Sequence, residues 1–473
     1  MDSLRGYSFL LNKSNKNNYY TIRNEYVGTL GFILRTAKNF MRNGKKIGLS
    51  LSGGGYRAAA YHLGTLKKLN EMKILEDIDI ISSVSGGSIT SAVYGLNGDN
   101  FPYFEKALIK GVMSSVIKGI IFSPRFLLVA FFIFLFIGLM IAFLFTNYAW
   151  ISFILLVTII FTLIKFQFFL LPISRLNEDL YNKFFFKGKV LNDFNNNSLI
   201  AINATNLETG RLFTFSKNKM SDSSYAYPRD KGEPITFKNK QFPVSKAVAA
   251  STCVPFAFTP ISIDKIFYTN ENDFDRVNPK LIDGGVYDNQ GIHKITQEGS
   301  SYECDIIITS DAGNIMPYQS RFQNTIQLLI RTSEIFMNRI KNFQMIKNVY
   351  ENSRSNKKEI AYFSLGWDLQ NCIPGFISNL KNGAIIDSVI SAHNISKEEI
   401  NNSEWDSITE KLKNNIGYDN IIAQSPSKEE LSIARSIKTS LKTLKENEIS
   451  ALIKHSYCIT ELQIKLYCPT IIE

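Results

Sequence analysis

The chain has 473 residues, more than one ordinary domain, and 45% of them are hydrophobic, so a large core needs no disulfide or metal staple. A formal net charge of +11 favours anionic partners, either phospholipid headgroups or nucleic acid. The five cysteines, Cys253, Cys304, Cys372, Cys458 and Cys468, are odd in number and form no CxxC pair, which argues against a zinc site or a disulfide framework.

Residues 1–44 read as a basic N-terminal segment. Within it, 26–34 is weakly apolar and is followed by Arg35, Lys38 and Arg42 with no small-residue cleavage site. That pattern suits a surface helix or a helix lying on a membrane. An apolar strand is expected over 47–51, then Gly53-Gly54-Gly55-Tyr56-Arg57, then a helix over 58–69. Three glycines let the backbone turn sharply and expose several N–H groups at a helix N-terminus. Such a surface suits a fixed phosphate or an oxyanion that develops during a reaction.

A strand over 78–82 leads into Ser83-Val84-Ser85-Gly86-Gly87, and a helix over 88–94 follows. This is the strand–turn–helix context of a nucleophile elbow, G-x-S-x-G, with Ser83 in place of the first glycine. Serine is small, and two glycines after Ser85 leave its hydroxyl uncrowded.

Residues 126–171 dominate the middle of the chain. Positions 126–145 are twenty residues without charge or proline, roughly 30 Å of helix and so the thickness of a bilayer core. After the short break Thr146-Asn147-Tyr148, a second apolar run covers 149–164 and continues through Lys165 and Gln167 to Leu171. A break this tight makes a hairpin with both ends on one side. The basic flanks, Lys110, Lys118 and Arg125 before and Arg175, Lys183, Lys187 and Lys189 after, put that side in the cytoplasm. The expectation is an integral membrane protein with its catalytic domain on the cytoplasmic side. A buried helical pair and a hairpin dipping into one leaflet are the alternatives.

Beyond the hairpin, 198–203, 211–215, 305–310 and 360–365 read as short strands, and the part from about 322 onward as mostly helical. Lysine- and glutamate-rich 425–448 reads as one exposed helix. Asp283-Gly284-Gly285 follows the apolar Leu281-Ile282 and places a carboxylate on a bend. Strands alternating with helices on both sides of the hairpin indicate one α/β domain with an insertion. The expected division is 1–44, a catalytic domain over 45–330 interrupted at 126–171, and a helical extension over 331–473.

Each of these signals is weak alone, but their order and context are specific. The glycine-rich loop, the Ser85 elbow and the Asp283-Gly284-Gly285 turn resemble the patatin-like phospholipase family. Residues 203–210 (Asn-Ala-Thr-Asn-Leu-Glu-Thr-Gly) and 249–255 (Ala-Ala-Ser-Thr-Cys-Val-Pro) are similar to further family segments. The resemblance implies a three-layer α/β/α sandwich and a Ser–Asp dyad, with Ser85 as nucleophile and Asp283 as general base. It also implies an oxyanion hole from the backbone around Gly53, Gly54 and Gly55, supported by Arg57. Ser83, Gly86, Gly87, Gly284 and Gly285 complete the two motifs. No metal or other cofactor is implied. The expected partners are a membrane lipid substrate and an anionic phospholipid surface. Nucleic acid is disfavoured because the basic residues cluster beside the hairpin.

Four other readings compete. His293, ten residues past Asp283, would make a Ser–Asp–His triad. The glycine loop, with Asp77 and Asp79 beyond it, fits a dinucleotide fingerprint, although those aspartates precede or begin the second strand instead of ending it. A non-catalytic membrane scaffold with a hydrolase fold is the third, and an acyltransferase using the same acyl-enzyme the fourth. His62 is expected to be a packed histidine and Asp311 a structural carboxylate.

Overall fold

The computed structural model describes residues 44–195, 197–228, 232–316, 318, 321–351 and 358–472. Residues 1–46 and 47–473 are two compact units. Apart from Gly44, the expected basic segment with its apolar stretch 26–34 lies outside the described residues.

Among the described residues, nine strands form one mixed sheet. They are β1 (Ile47–Leu51), β2 (Ile80–Val84), β3 (Leu199–Asn206), β4 (Arg211–Phe215), β5 (Met220–Ser221), β6 (Ile261–Ser262), β7 (Lys280–Asp283), β8 (Ile306–Asp311) and β9 (Glu359–Ser364). The main path runs β5-β4-β3-β2-β1-β8-β9, with β7 on β3 and β6 on β7. The strands β3, β2, β1, β8 and β9 are parallel, whereas β4 and β7 run against β3. Because β2 and β8 flank β1 on opposite sides, the carboxyl end of β1 is a topological switch point, where α/β sheets open a crevice.

Both sheet faces are covered, which explains near-continuous apolar strands such as Ile-Gly-Leu-Ser-Leu in β1. Leu49, Ile81, Ile202, Ile308 and Phe363 face the main core. Ile80, Ala201, Ile307 and Ile360 face the other way, against Ile292, Ile295, Tyr302 and Cys304. The expected sandwich is therefore unequal, with the second face covered chiefly by residues 292–304.

On the main face lie α1 (Gly55–Glu71) and α2 (Gly86–Asn97), each starting directly after a strand and its glycine turn. The apolar insertion forms α3 (Pro124–Leu144) and α4 (Trp150–Lys165), which pack on each other, with the Ser152 hydroxyl donating to the Met140 carbonyl at 2.7 Å. The buried-pair alternative fails, because none of α3 is buried and Phe134, Leu144, Phe153 and Ile160 are exposed. The second helix is shorter than expected. It ends at Lys165, where the chain bends by 77°, and the Lys165 ammonium lies over the rings of Phe161 and Phe166. The Arg125 guanidinium donates to the carbonyls of Phe169 and Leu170, which holds the two feet of the insertion together.

Beyond the insertion, α5 (Ile173–Tyr181) packs against α6 (Val244–Ser251). The short α7 (Gly285–Asp288) follows β7, and α8 (Thr325–Met345) follows β8 and packs on α7. Residues 425–448 correct the expectation of one helix: α9 (Lys428–Ser436) stops, an extended stretch follows, and α10 (Glu446–Tyr467) begins at Glu446. Burial of Ile437 and Leu444 pins the stretch between them. Helix α10 is no surface helix either. It lies along α1 so closely that a Cβ on Gly64 would sit 2.3 Å from the Ile453 carbonyl oxygen. With β9 in the same sheet, residues 331–473 do not stand apart from the catalytic unit.

Candidate active site

The register of β3 brings the two motif residues together. Strand β2 runs parallel to β3 and ends with Val84 opposite Asn203. Strand β7 approaches along the same edge from the other direction and ends with Asp283 opposite Ala204. Two strand ends thus meet head-on at adjacent positions of β3. Ser85 follows one, and Asp283 closes the other.

Ser85 occupies the bend between β2 and α2 at φ 50° and ψ −119°, a conformation that an L-residue holds only when its surroundings enforce it. Three contacts enforce it. The Ser85 N–H donates to the Ser251 hydroxyl at 2.9 Å, and the Gly87 N–H donates to the Ser52 carbonyl at 3.1 Å. A Cβ on Gly86 would lie 2.1 Å from the Gly55 carbonyl oxygen, so only glycine lets the elbow and the glycine loop touch. The Ser83 hydroxyl turns away to Ser91 at 2.6 Å, which is why a serine replaces the first glycine of the elbow without crowding Ser85.

Asp283 is buried and accepts the Gly285 N–H at 2.7 Å, and the Ser85 side chain lies near enough to act on its carboxyl. Burial pushes its pKa up from 3.8 to about 6, against the smaller opposing pull of the Gly285 N–H and of Ser85. Its own N–H donates to the Cys253 carbonyl at 2.8 Å, and that of Gly284 to the Ser251 carbonyl at 3.3 Å. The C-terminal end of α6 therefore holds both motifs. Ser251 gives its proton to the Asn203 carbonyl at 2.6 Å and so can accept from both Ser85 N–H and Ser88. Ser88, Asn203, Ser251 and Asn289 are the supporting residues that sequence reasoning did not single out. Asn203 and Ser251 lay inside segments already similar to the family, but their contacts cross 48 and 166 residues of chain.

The glycine loop lies beside Ser85, since a Cβ on Gly53 would come within 3.2 Å of the Ser85 Cβ. The expected set of backbone donors needs a correction at Gly53, whose N–H is already committed to the Asn289 carbonyl at 2.8 Å. Among the described residues, the N–H groups of Gly54, Gly55 and Gly86 donate to no protein acceptor. Gly54 and Gly55 adopt φ values of 139° and 62°, which turn successive N–H groups toward one side. Arg57 is buried, and its guanidinium lies against Gly54 while donating to the Ile437 carbonyl at 3.0 Å. The Tyr56 N–H donates to the Ser440 carbonyl at 3.0 Å. Arg57 and the stretch before α10 thus clamp the loop from behind.

The rival sites are not assembled. The His293 ring packs edge-on against Tyr287, and among the described residues it makes no hydrogen bond to Ser85 or Asp283. The Asp79 carboxylate accepts the Ile47 N–H at 2.9 Å, at the amino end of β1 and the wrong end for a nucleotide at the glycine loop. His62 is packed as expected. Its Nε2 faces the Ser52 carbonyl at 2.9 Å, its Nδ1 faces Ser310 at 2.8 Å, and burial lowers its pKa to about 4. Asp311 is a fully buried anchor. Despite that burial, Lys341 at 2.5 Å and the Tyr362 hydroxyl at 2.6 Å hold its pKa down at about 2.

The patatin-like phospholipase family model matches residues 49–294, more than half of the chain and the stretch that carries both motifs. The chain belongs to the patatin-like phospholipase family. It is accordingly a lipid ester hydrolase, and its substrate is a lipid. No curated protein matches it in sequence. VipD from Legionella pneumophila aligns over 88% of this chain and 91% of its own, at 13% identity and a TM-score of 0.30. Human GIVD cytosolic phospholipase A2 aligns over 90% of this chain at 12% identity and a TM-score of 0.46, and the alignment spans 59% of that protein's length.

Proposed function

We propose that this patatin-like enzyme cleaves acyl esters of membrane lipids through a Ser85–Asp283 dyad while an inserted hairpin over 126–171 holds it in the bilayer. The observation that carries the dyad is that β2 and β7 end at adjacent positions of β3, which sets Ser85 beside a buried carboxylate whose pKa is raised to about 6. An ordinary aspartate is a poor base for an alcohol, and the raised pKa brings it nearer to neutral operating pH. Ser85 Oγ attacks the ester carbonyl carbon as Asp283 takes its proton. The N–H groups of Gly54, Gly55 and Gly86 receive the developing oxyanion, and losing one such donor typically costs about 100- to 1000-fold in rate. Collapse of the tetrahedral intermediate breaks the C–O bond, and Asp283 returns the proton to the leaving alcohol of the lyso-lipid. Water then releases the fatty acid from Ser85, with Asp283 as base.

Helix α3, at 21 residues, is long and apolar enough to cross a bilayer, and α4 with the bent segment after it makes the return. The joined feet at Arg125 support a hairpin whose ends share one face. Basic residues around those feet favour an anionic cytoplasmic leaflet. A fluorophosphonate probe tests the dyad. It labels wild-type protein at Ser85, while Ser85→Ala is unlabelled and inactive on phospholipid. Retained hydrolysis in Ser85→Ala refutes the assignment.

A further inference from the structure

Helix α8 is inside out. A helix on a soluble protein turns its apolar stripe inward. Here Lys341 reaches in to the buried Asp311 at 2.5 Å and Gln344 is buried, while Leu328, Leu329, Ile335, Phe336, Phe343 and Ile346 are exposed. Leu329, Phe336 and Phe343 are spaced seven residues apart and so form one line along the helix. Phe336 and Phe343 are 63% and 64% exposed, so the stripe is real surface and not the edge of a core. A buried ion pair anchors the helix, and among the described residues nothing covers its apolar face.

We propose that α8 lies in the plane of the membrane surface, with this stripe sunk among the lipid acyl chains and the mouth of the Ser85–Asp283 site held against the same leaflet. This rests on the lipid-hydrolase reading above and adds a second membrane contact, separate from the hairpin. Three observations select lipid as the occupant. Arg339 and Lys347 are exposed among the apolar residues, while Lys341 is taken up by Asp311 and Arg331 by Glu334, so the exposed face carries two positive charges suited to anionic headgroups. The helix packs on α7, whose first residue, Gly285, donates its N–H to Asp283, so α8 lies one element away from the site. Across the site, the loop that begins at Cys253 exposes Val254 and Phe256, and its Thr259 carbonyl accepts the Ser174 hydroxyl just beyond the second foot of the hairpin. Exposed apolar residues therefore stand both on α8 and on the loop that ties the foot of the insertion to the site.

The test uses full-length protein in phosphatidylcholine vesicles, with and without phosphatidylserine. The five native cysteines are buried, so single cysteines at Phe336→Cys and Phe343→Cys take an environment-sensitive dye selectively. Gly138→Cys in α3 is the membrane control, and Glu410→Cys is the water-facing control. Brominated lipid should quench the dye at positions 336, 343 and 138 but not at 410, and phosphatidylserine should strengthen quenching at 336 and 343. Quenching at 138 without quenching at 336 and 343 overturns the proposal. So does lipid-independent, concentration-dependent shielding at 336, which would mean that a second copy covers the stripe. In the activity arm, Leu329→Glu/Phe336→Glu/Phe343→Glu should keep hydrolysis of a soluble short-chain ester and lose about tenfold or more on vesicle phospholipid. Equal loss on both substrates also overturns it, because the helix would then only shape the site. If wild-type protein hydrolyses neither substrate, the hydrolase reading fails by itself, and the quenching pattern still decides where α8 lies.

Discussion

Replacing the general base should stabilise the protein while destroying its activity. The Asp283→Asn side chain would keep an oxygen to accept the Gly285 N–H and would offer its amide to Ser85, so the substitution preserves shape and removes the charge. The fold raises the Asp283 pKa from 3.8 to about 6, which corresponds to about 3 kcal/mol spent on keeping the carboxylate ionised. The sign follows from linkage. A carboxyl with a raised pKa contributes stability that is fully present below its unfolded value near 3.8 and is lost as pH rises through about 6. Wild type therefore bears the penalty above pH about 6, and the asparagine variant does not. Denaturant midpoints in a single detergent should show Asp283→Asn ahead by about 1–3 kcal/mol at pH 8, with the gap closing by about pH 4. Hydrolysis should fall by about a thousandfold. In wild type, kcat/KM should decline as pH falls through about 6, because protonated Asp283 cannot accept the Ser85 proton. A variant no more stable than wild type at pH 8, or a gap unchanged at pH 4, would refute the claim that the site holds a strained carboxylate.

Ser251→Ala removes the acceptor of the Ser85 N–H, so it should cost about 1–3 kcal/mol and lower kcat with little change in KM on a soluble ester, read by steady-state kinetics alongside thermal unfolding. Lys341→Met leaves Asp311 buried without its counter-charge and should cost about 3–5 kcal/mol at neutral pH by chemical denaturation, a loss that Asp311→Asn in the same chain should partly relieve. Deleting 126–171 and joining the flanks by a short flexible linker should release the protein from carbonate-washed membranes with soluble-ester activity intact, because the bonds from Arg125 to Phe169 and Leu170 show that the two ends of the segment lie close together. Asn147→Cys should be labelled only from the outer face of sealed cells, and labelling from the cytoplasmic face would mean a hairpin that does not span.

The local pieces of this protein are written in short stretches of sequence. Apolar runs ending in glycine turns fix where β1 and β2 stop and where α1 and α2 begin, because glycine there tolerates φ values and contacts that side chains do not. The hydrocarbon length of α3 follows from composition alone, and so does the turn at Thr146, whose hydroxyl accepts the Tyr148 N–H at 3.1 Å. Ser85 and Asp283 could be picked out as motif residues, but nothing local says that they meet across 198 positions. The sheet register decides that, with β2 and β7 ending at neighbouring residues of β3. Long-range contacts likewise commit the Gly53 N–H to Asn289, turn Arg57 back to Ile437 and split the lysine-rich segment 425–448 into two helices. Helix α8 shows the division most clearly. Its seven-residue apolar spacing is legible in the sequence, but periodicity says only that a helix has an apolar face. Which way that face points is set by the buried ion pair between Lys341 and Asp311, and such pairing between distant elements exists only once the chain has folded.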